Sequence, residues 1–194
     1  MITFFLLGAN LGDRVGTLAR AVSLIGERVG RVVVQSSLYE TAPWGVTDQP
    51  AFLNQVLAVD TALEPEAALV KTQAIEHELG RVRHEHWGAR TIDIDLLYYG
   101  QLIWQSPTLT LPHPLLHQRR FTLVPLAEIA PDAVHPVFNR TTLELLSDCV
   151  DMGTVTIFNS PINIPHTENV VPLCSVCYQF PKNHPRLCLP RSTP

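Results

Sequence analysis

Between Thr91 and Tyr99 the chain alternates: Ile92, Ile94 and Leu96 point one way, Asp93, Asp95 and Leu97 the other. A period of two marks an extended strand, whose successive side chains leave on opposite faces. The segment therefore predicts a strand with one apolar face against a core. Both aspartates lie on the other face, with α-carbons about 6–7 Å apart. Two carboxylates that close repel, and one is pushed toward its protonated form unless cations lie between them. Mg2+ takes hard oxygen ligands and keeps room for water and substrate oxygens, so it suits such a pair. A solvent-facing acidic pair beside a sheet edge gives the same pattern, and the surrounding sequence has to separate the two.

Upstream, residues 2–8 form an apolar run of β-formers that ends in a turn-rich loop from Gly8 to Asp13. Leu18, Ala21, Val22 and Ile25 recur at helical spacing and predict a helix over 14–29, stopping near Gly26 or Gly30. A strand over Arg31–Tyr39, a loop with two prolines over 40–50 and a strand over Phe52–Thr61 follow. Pro65 suits the first turn of a second helix, which Leu69, Thr72, Gln73, Ile75, Glu76 and Leu79 carry to Gly80. Past the alternating strand, a short strand near Leu102–Trp104 is expected to pair back across Gly100 and Gln101. Residues 106–120 read as a loop and Val124–Ile129 as helical. Thr141 with Glu144 is a capping-box pattern for a last helix to about 149.

The order β-α-β-β-α-β predicts a ferredoxin-like α+β sandwich, with an antiparallel sheet, helices on one face and extra C-terminal helices. The catalytic domain is expected over 1–158. Residues 159–194 are proline-rich and without a period, and predict a disordered or loosely packed tail.

With 194 residues, 46% apolar and 16% charged, the composition is that of one globular domain. A net charge of −4 gives no basis for a nucleic-acid or anionic-membrane partner. No apolar run approaches the roughly 20 residues that span a bilayer. Residues 1–8 lack the basic start and small-residue cleavage site of a signal peptide, so a cytoplasmic protein is expected. The cysteines fall at 149, 174, 177 and 188, not spread as in a disulfide-stapled fold. Cys174 and Cys177 have zinc-knuckle spacing, with Cys188 and His184 as conceivable partners; free thiols in a tail are the plainer reading.

Three of the 14 basic residues, Arg81, Arg83 and Arg90, stand just before the aspartate pair. Guanidinium forks match phosphate oxygens, and carboxylates for metal beside arginines for phosphate are a recurring solution for phosphoryl transfer. The dipole at a helix C-terminus would account for Arg81 and Arg83 but not for Arg90. No P-loop or kinase signature is present, and Gly8 to Gly12 lacks the spacing of a dinucleotide motif, so a nucleotide would bind by another route. Leu111, Pro112 and His113, then Arg119 and Phe121, form a second cluster, in which His113 either donates to a phosphate oxygen or caps a turn. Thr41, Pro43 and Trp44, followed by Phe52 and Asn54 on one strand face, form a third. An aromatic plate beside an amide suits a flat heterocycle, although core packing also explains Phe52 alone.

Together these clusters resemble the 6-hydroxymethyl-7,8-dihydropterin pyrophosphokinases of folate biosynthesis, over residues 1–155. The matching stretches run from Gly80 to Asp95 (G-R-x-R, then W-G-x-R-x-x-D-x-D), from Asp48 to Asn54 (D-Q-P-x-F-x-N), from Leu111 to Phe121, and from Leu7 to Asp13 (L-G-x-N-L-G-D). The resemblance implies transfer of diphosphate from ATP to the pterin alcohol with release of AMP, by a monomer. It implies two Mg2+ ions on Asp93 and Asp95, with Arg90 and His113 close to the chemistry. ATP would be held by Leu69, Gln73, Arg81, Arg83, Trp87, Arg90, Leu96, Thr110, His113 and Arg119, with Glu76 behind them. The pterin would lie among Thr41, Pro43, Trp44, Phe52, Asn54 and Phe121, under loops 40–50 and 81–90 that close. Read from the residues alone, another Mg-dependent nucleotidyl or phosphoryl transferase and a nucleotide-sensing module stay open.

Overall fold

The computed structural model describes residues 1–43, 48–81 and 88–159. Strand β1 (Ile2–Ala9) is buried along nearly its whole length, because its apolar residues leave no polar face to turn to water. It therefore lies inside the sheet, antiparallel to β4 (Phe52–Asp60) on one side and to β5 (Asp93–Tyr99) on the other. β2 (Arg31–Gln35) and β3 (Tyr39–Thr41) pair with β4, and β8 (Val155–Ile157) pairs with β3. The sheet order is β5-β1-β4-β3-β8, with β2 also on β4.

Helix α1 (Arg14–Arg28) starts where the Asp13 carboxylate accepts from the Gly16 N–H at 3.0 Å, and buries Leu18, Ala21 and Ile25 as the spacing predicts. Helix α2 (Pro65–Glu78) carries Pro65 in its first turn and is followed by Gly80 at φ +82°, a left-handed stop that glycine adopts without a Cβ clash. These two helices pack with Phe5, Leu7, Leu57 and Ile94 into one core. Phe4, Leu6, Val56 and Leu97 point to the opposite face, where α3 (Arg120–Ile129) and α4 (Thr142–Asp148) cover them with Leu123, Leu126 and Leu145. Helices thus lie on both faces rather than one, as a central strand apolar on both sides requires. The capping box at α4 is formed by Thr141 and Glu144.

Three expectations shift for local reasons. The strand predicted over 31–39 breaks at Ser36, whose Oγ takes the Val56 N–H at 2.9 Å, and pairing resumes in β3. The short strand β6 (Trp104–Gln105) pairs with β7 (Thr110–Leu111), not with β5. A turn through Pro107, closed by Ser106 N–H to Leu109 O at 2.8 Å, makes that hairpin the nearer partner. The alternation of β5 fails after Leu97: the register to β1 shifts there, Leu97 and Tyr98 both enter the α3/α4 core, and Tyr99 returns to the other. β8 has no counterpart among the predicted strands.

Candidate active site

Strand register assembles the site. Gly8 stands opposite Asn54 in β4 and opposite Asp93 in β5, and Leu6 stands opposite Asp95. Asn54, Gly8 and Asp93 therefore form one row across three strands, with the outer two backbones about 10 Å apart. The row lies on the α3/α4 face beyond the end of that core, where a cavity opens. Its floor is Leu6 and Gly8; Thr41, Ala42, Phe52, Asn54 and Phe121 form one end, and Arg90, Asp93, Asp95 and Arg119 the other.

At the first end the Asn54 amide is buried and donates to Thr41 Oγ1 at 2.7 Å. Thr41 stands opposite Phe52, so strand pairing fixes hydroxyl, ring and amide together. A Cβ at Gly8 would fall 2.8 Å from Asn54 Oδ1, so the floor must be glycine for Asn54 to keep its place. The guanidinium of Arg90 lies 5.6 Å from the centre of the Phe52 ring, and that of Arg119 lies 5.6 Å from Phe121.

At the other end the two carboxylates differ. Asp93 is paired with Arg81 at 2.5 Å and with Arg90 at 3.2 Å. Arg81 also pairs with buried Glu76, whose Oε1 accepts the Ile94 N–H at 2.7 Å. Glu76 thereby satisfies a backbone donor on the free edge of β5, and burial raises its carboxyl pKa against the pull of Arg81. Asp95 receives no hydrogen bond or ion pair from the described residues. Burial first, and then the Asp93 charge, push its carboxyl up to about 7, with Arg119 and Arg90 opposing. On the same wall Arg90 Nε is buried without an acceptor among the described residues. Asn10 holds Arg90 in place: its Oδ1 accepts the Arg90 N–H at 2.8 Å, while its Nδ2 donates to Gln49 and Pro50.

His113 attaches to the other edge group of β5. Its N–H donates to the carbonyl of Leu97, the residue where the register shifts, at 2.9 Å. Its Nδ1 accepts from the Leu115 N–H at 3.2 Å, which leaves the proton on Nε2. Burial, and then the Arg119 charge, bring its pKa down to about 4, so the ring is a neutral donor at pH 7.

The profile of the family described as 7,8-dihydro-6-hydroxymethylpterin-pyrophosphokinase (HPPK) matches residues 4–131. The chain belongs to this family. It is 50% identical over 129 residues to the 2-amino-4-hydroxy-6-hydroxymethyldihydropteridine pyrophosphokinase of Methylorubrum extorquens, covering 66% of this chain and 82% of that protein. To the Haemophilus influenzae protein of the same name it is 44% identical over 138 residues, 70% of this chain and 86% of that one. The folic acid synthesis protein fol1 of Pneumocystis carinii is 41% identical over 145 residues, but this chain spans only 20% of its length. Among solved structures, an HPPK-DHPS in complex with substrates superposes with a TM-score of 0.63 at 16% identity, over 76% of this chain and 43% of that one. Wild-type Plasmodium falciparum HPPK-DHPS with pteroate gives 0.61 at 17%, over 76% and 42%. These likenesses speak to the fold.

In this HPPK family member the cavity gathers eight of the residues singled out from sequence: Thr41, Phe52, Asn54, Phe121, Arg90, Asp93, Asp95 and Arg119. Arg81 does not line it and instead ties Asp93 to Glu76. Of the other predicted ATP residues, Gln73 and Thr110 are exposed on α2 and β7, two elements that contact β5, while Leu69 and Leu96 pack in the α1/α2 core. Pro43 is half-buried next to the lining residue Ala42. Trp44, Arg83 and Trp87 lie outside the described residues, as do the closing parts of both loops and Cys174, Cys177, His184 and Cys188. Sequence reasoning gave no role to Gly8 as floor, to Ala42 as wall or to Asn10 as the tie between Arg90 and residues 49–50. The alternation of β1 held a signal for Gly8, which shares a face with Leu6.

Proposed function

We propose that this chain transfers a diphosphate group from ATP to 6-hydroxymethyl-7,8-dihydropterin, giving AMP and the pterin diphosphate in folate biosynthesis. The row Asn54–Gly8–Asp93 carries the reading, because it sets an aromatic and amide end and a carboxylate and arginine end into one cavity. Phe52 and Phe121 stack the bicycle, and Asn54 with Thr41 reads its polar edge. The second end supports a triphosphate with metal: among the described residues Asp95 receives no hydrogen bond or ion pair, although the charges of Arg119 and Arg90 act on it, and Arg90 Nε has no acceptor.

Asp93 and Asp95 fit two Mg2+ ions. Among the described residues no cluster of three or more His, Cys, Asp or Glu stands ready for a metal, so phosphate oxygens and water would complete the shells. Bound Mg2+ would neutralise phosphate charge and lower the pKa of the attacking hydroxyl. Arg90, Arg119 and the Nε2–H of His113 hold the phosphate oxygens, while Glu76 and Arg81 orient Asp93. The hydroxymethyl oxygen bonds to the β-phosphorus, and the bond from that phosphorus to the α–β bridging oxygen breaks. The electron pair leaves on AMP and the hydroxyl proton passes to solvent. The nucleotide lies along the edge of β5, between α2 and β7, which brings Leu69, Gln73, Leu96 and Thr110 to it.

The β1-α1-β2-β4-α2-β5 core, in sheet order β5-β1-β4-β2, supports a ferredoxin-like reading with β3 and β8 added. The catalytic unit is taken as 1–158, acting as a monomer in the cytoplasm. An assay of AMP release tests the function. Release that requires both Mg2+ and the dihydropterin is expected, and ADP or inorganic pyrophosphate as the product would overturn it.

A further inference from the structure

Thr41 and Ala42 form a wall of the cavity, yet Thr41 ends the three-residue strand β3 and Ala42 follows it, and so short a strand does not hold its own position. Contacts on both edges and both faces fix that strand. β4 pairs along one edge. On the α3 face Tyr39 Oη donates to Glu128 at 2.9 Å. On the other edge β8 pairs from Tyr39 to Thr41, the Ala42 N–H donates to Thr154 O at 3.2 Å, and the Phe158 N–H donates to Leu38 O at 2.8 Å. On the opposite face Glu40 pairs with Arg14 at 3.0 Å.

Arg14 is the first residue of α1, where a cation opposes the helix dipole, so its place calls for another cause. Its Nη1 also donates to the Ala51 carbonyl at 2.8 Å, next to Phe52, and its guanidinium lies 5.8 Å from the centre of the Phe158 ring. One side chain thus joins the approach to β3, the approach to β4 and the end of β8. β8 lies beyond residue 131, where the family match ends.

We propose that β8, Phe158 and Arg14 form a clasp that positions the Thr41–Ala42 wall, making Phe158 and Arg14 positioning residues for the pterin. This rests on the pterin reading of that end of the cavity. In the full chain, Phe158→Ala and Arg14→Gln are expected to raise the KM for dihydropterin about tenfold, with kcat and ATP affinity within about twofold of wild type. Phe158→Tyr, which keeps the ring over Arg14, restores wild-type values. Hydrogen exchange at the Ala42 amide, followed without ligand, is expected to quicken in both disrupting variants. Unchanged KM and exchange would overturn the clasp. So would an equal loss of dihydropterin and ATP binding with a lowered melting temperature, which marks a merely structural role. Wild-type protein that binds ATP but no dihydropterin would sink the pterin reading, and the Ala42 exchange would still judge the clasp.

Discussion

The two ends of the cavity are held in different ways. At the Asn54 end the lining residues meet through neutral contacts, namely strand pairing of Thr41 with Phe52, the amide on Thr41 Oγ1 and a glycine floor, with charged groups only behind or beside them. The Asp93 end is fixed by charge, through the chain Glu76–Arg81–Asp93–Arg90, with Asp95 left over. A neutral end preformed by sheet geometry suits a flat, uncharged ring. A carboxylate and arginine end suits ions, as the proposed function requires, because buried charges need charged partners. The first end is set by hydrogen bonds and packing, and the second by charge.

The sharpest way to break this contrast is Asp95→Asn. It is expected to cut AMP release by roughly 10³-fold or more while leaving the unliganded protein at least as stable, because burial and Asp93 already disfavour a charge at this position. Single-turnover AMP release and a melting curve check it, and a large drop in stability would mean that Asp95 is already satisfied. Asn54→Ala tests the neutral end: dihydropterin binding should weaken about ten- to hundredfold, and ATP binding should stay put. Calorimetric titration with each substrate separates the two, and equal losses would erase the distinction between the ends.

Glu76→Gln keeps an acceptor for the Ile94 N–H but removes the charge opposite Arg81. A loss of about 2 kcal/mol in denaturant unfolding is expected, with Asp93 less firmly held. The smallest expected effect lies outside both ends. Burial, and then His117, lower the pKa of His135 from 6.5 to about 4, and its Nδ1 accepts the Val137 and Phe138 N–H groups. The unfolded chain takes up that proton first, so this contribution is full above pH 6.5 and declines as pH falls toward 4. His135→Asn should flatten that stretch of the stability–pH curve by about 1–2 kcal/mol while leaving both substrate affinities unchanged at pH 7.5.

Much of the charged end was legible because its residues lie close in sequence: Arg81, Arg90, Asp93 and Asp95 belong to one loop and one strand. Alternation alone put both aspartates on one face, and the register agrees up to Leu97. That one of the two carboxyls would be raised was legible from their spacing, but which one was not, since Arg81 meets Asp93 and Glu76 through tertiary packing. The neutral end was readable as residue types, Phe52 with Asn54, but not as a place. Thr41, Gly8 and Asn54 meet only through β1–β4 and β3–β4 pairing, which no local pattern encodes. β8 was missed because Val155 to Ile157 is short and carries no turn signal that points to β3. The helices on the second face follow in hindsight from β1, whose Phe4 and Leu6 needed cover as much as Phe5 and Leu7 did.

The row Asn54–Gly8–Asp93 also acts as a ruler. Its length is set by two backbone hydrogen-bonding intervals of the sheet, not by side chains, and side-chain substitutions leave those intervals unchanged. Under the proposed function, the ring and the reactive oxygen of the acceptor would span this row. The spacing of β4, β1 and β5 would then set how far the alcohol stands from the ring.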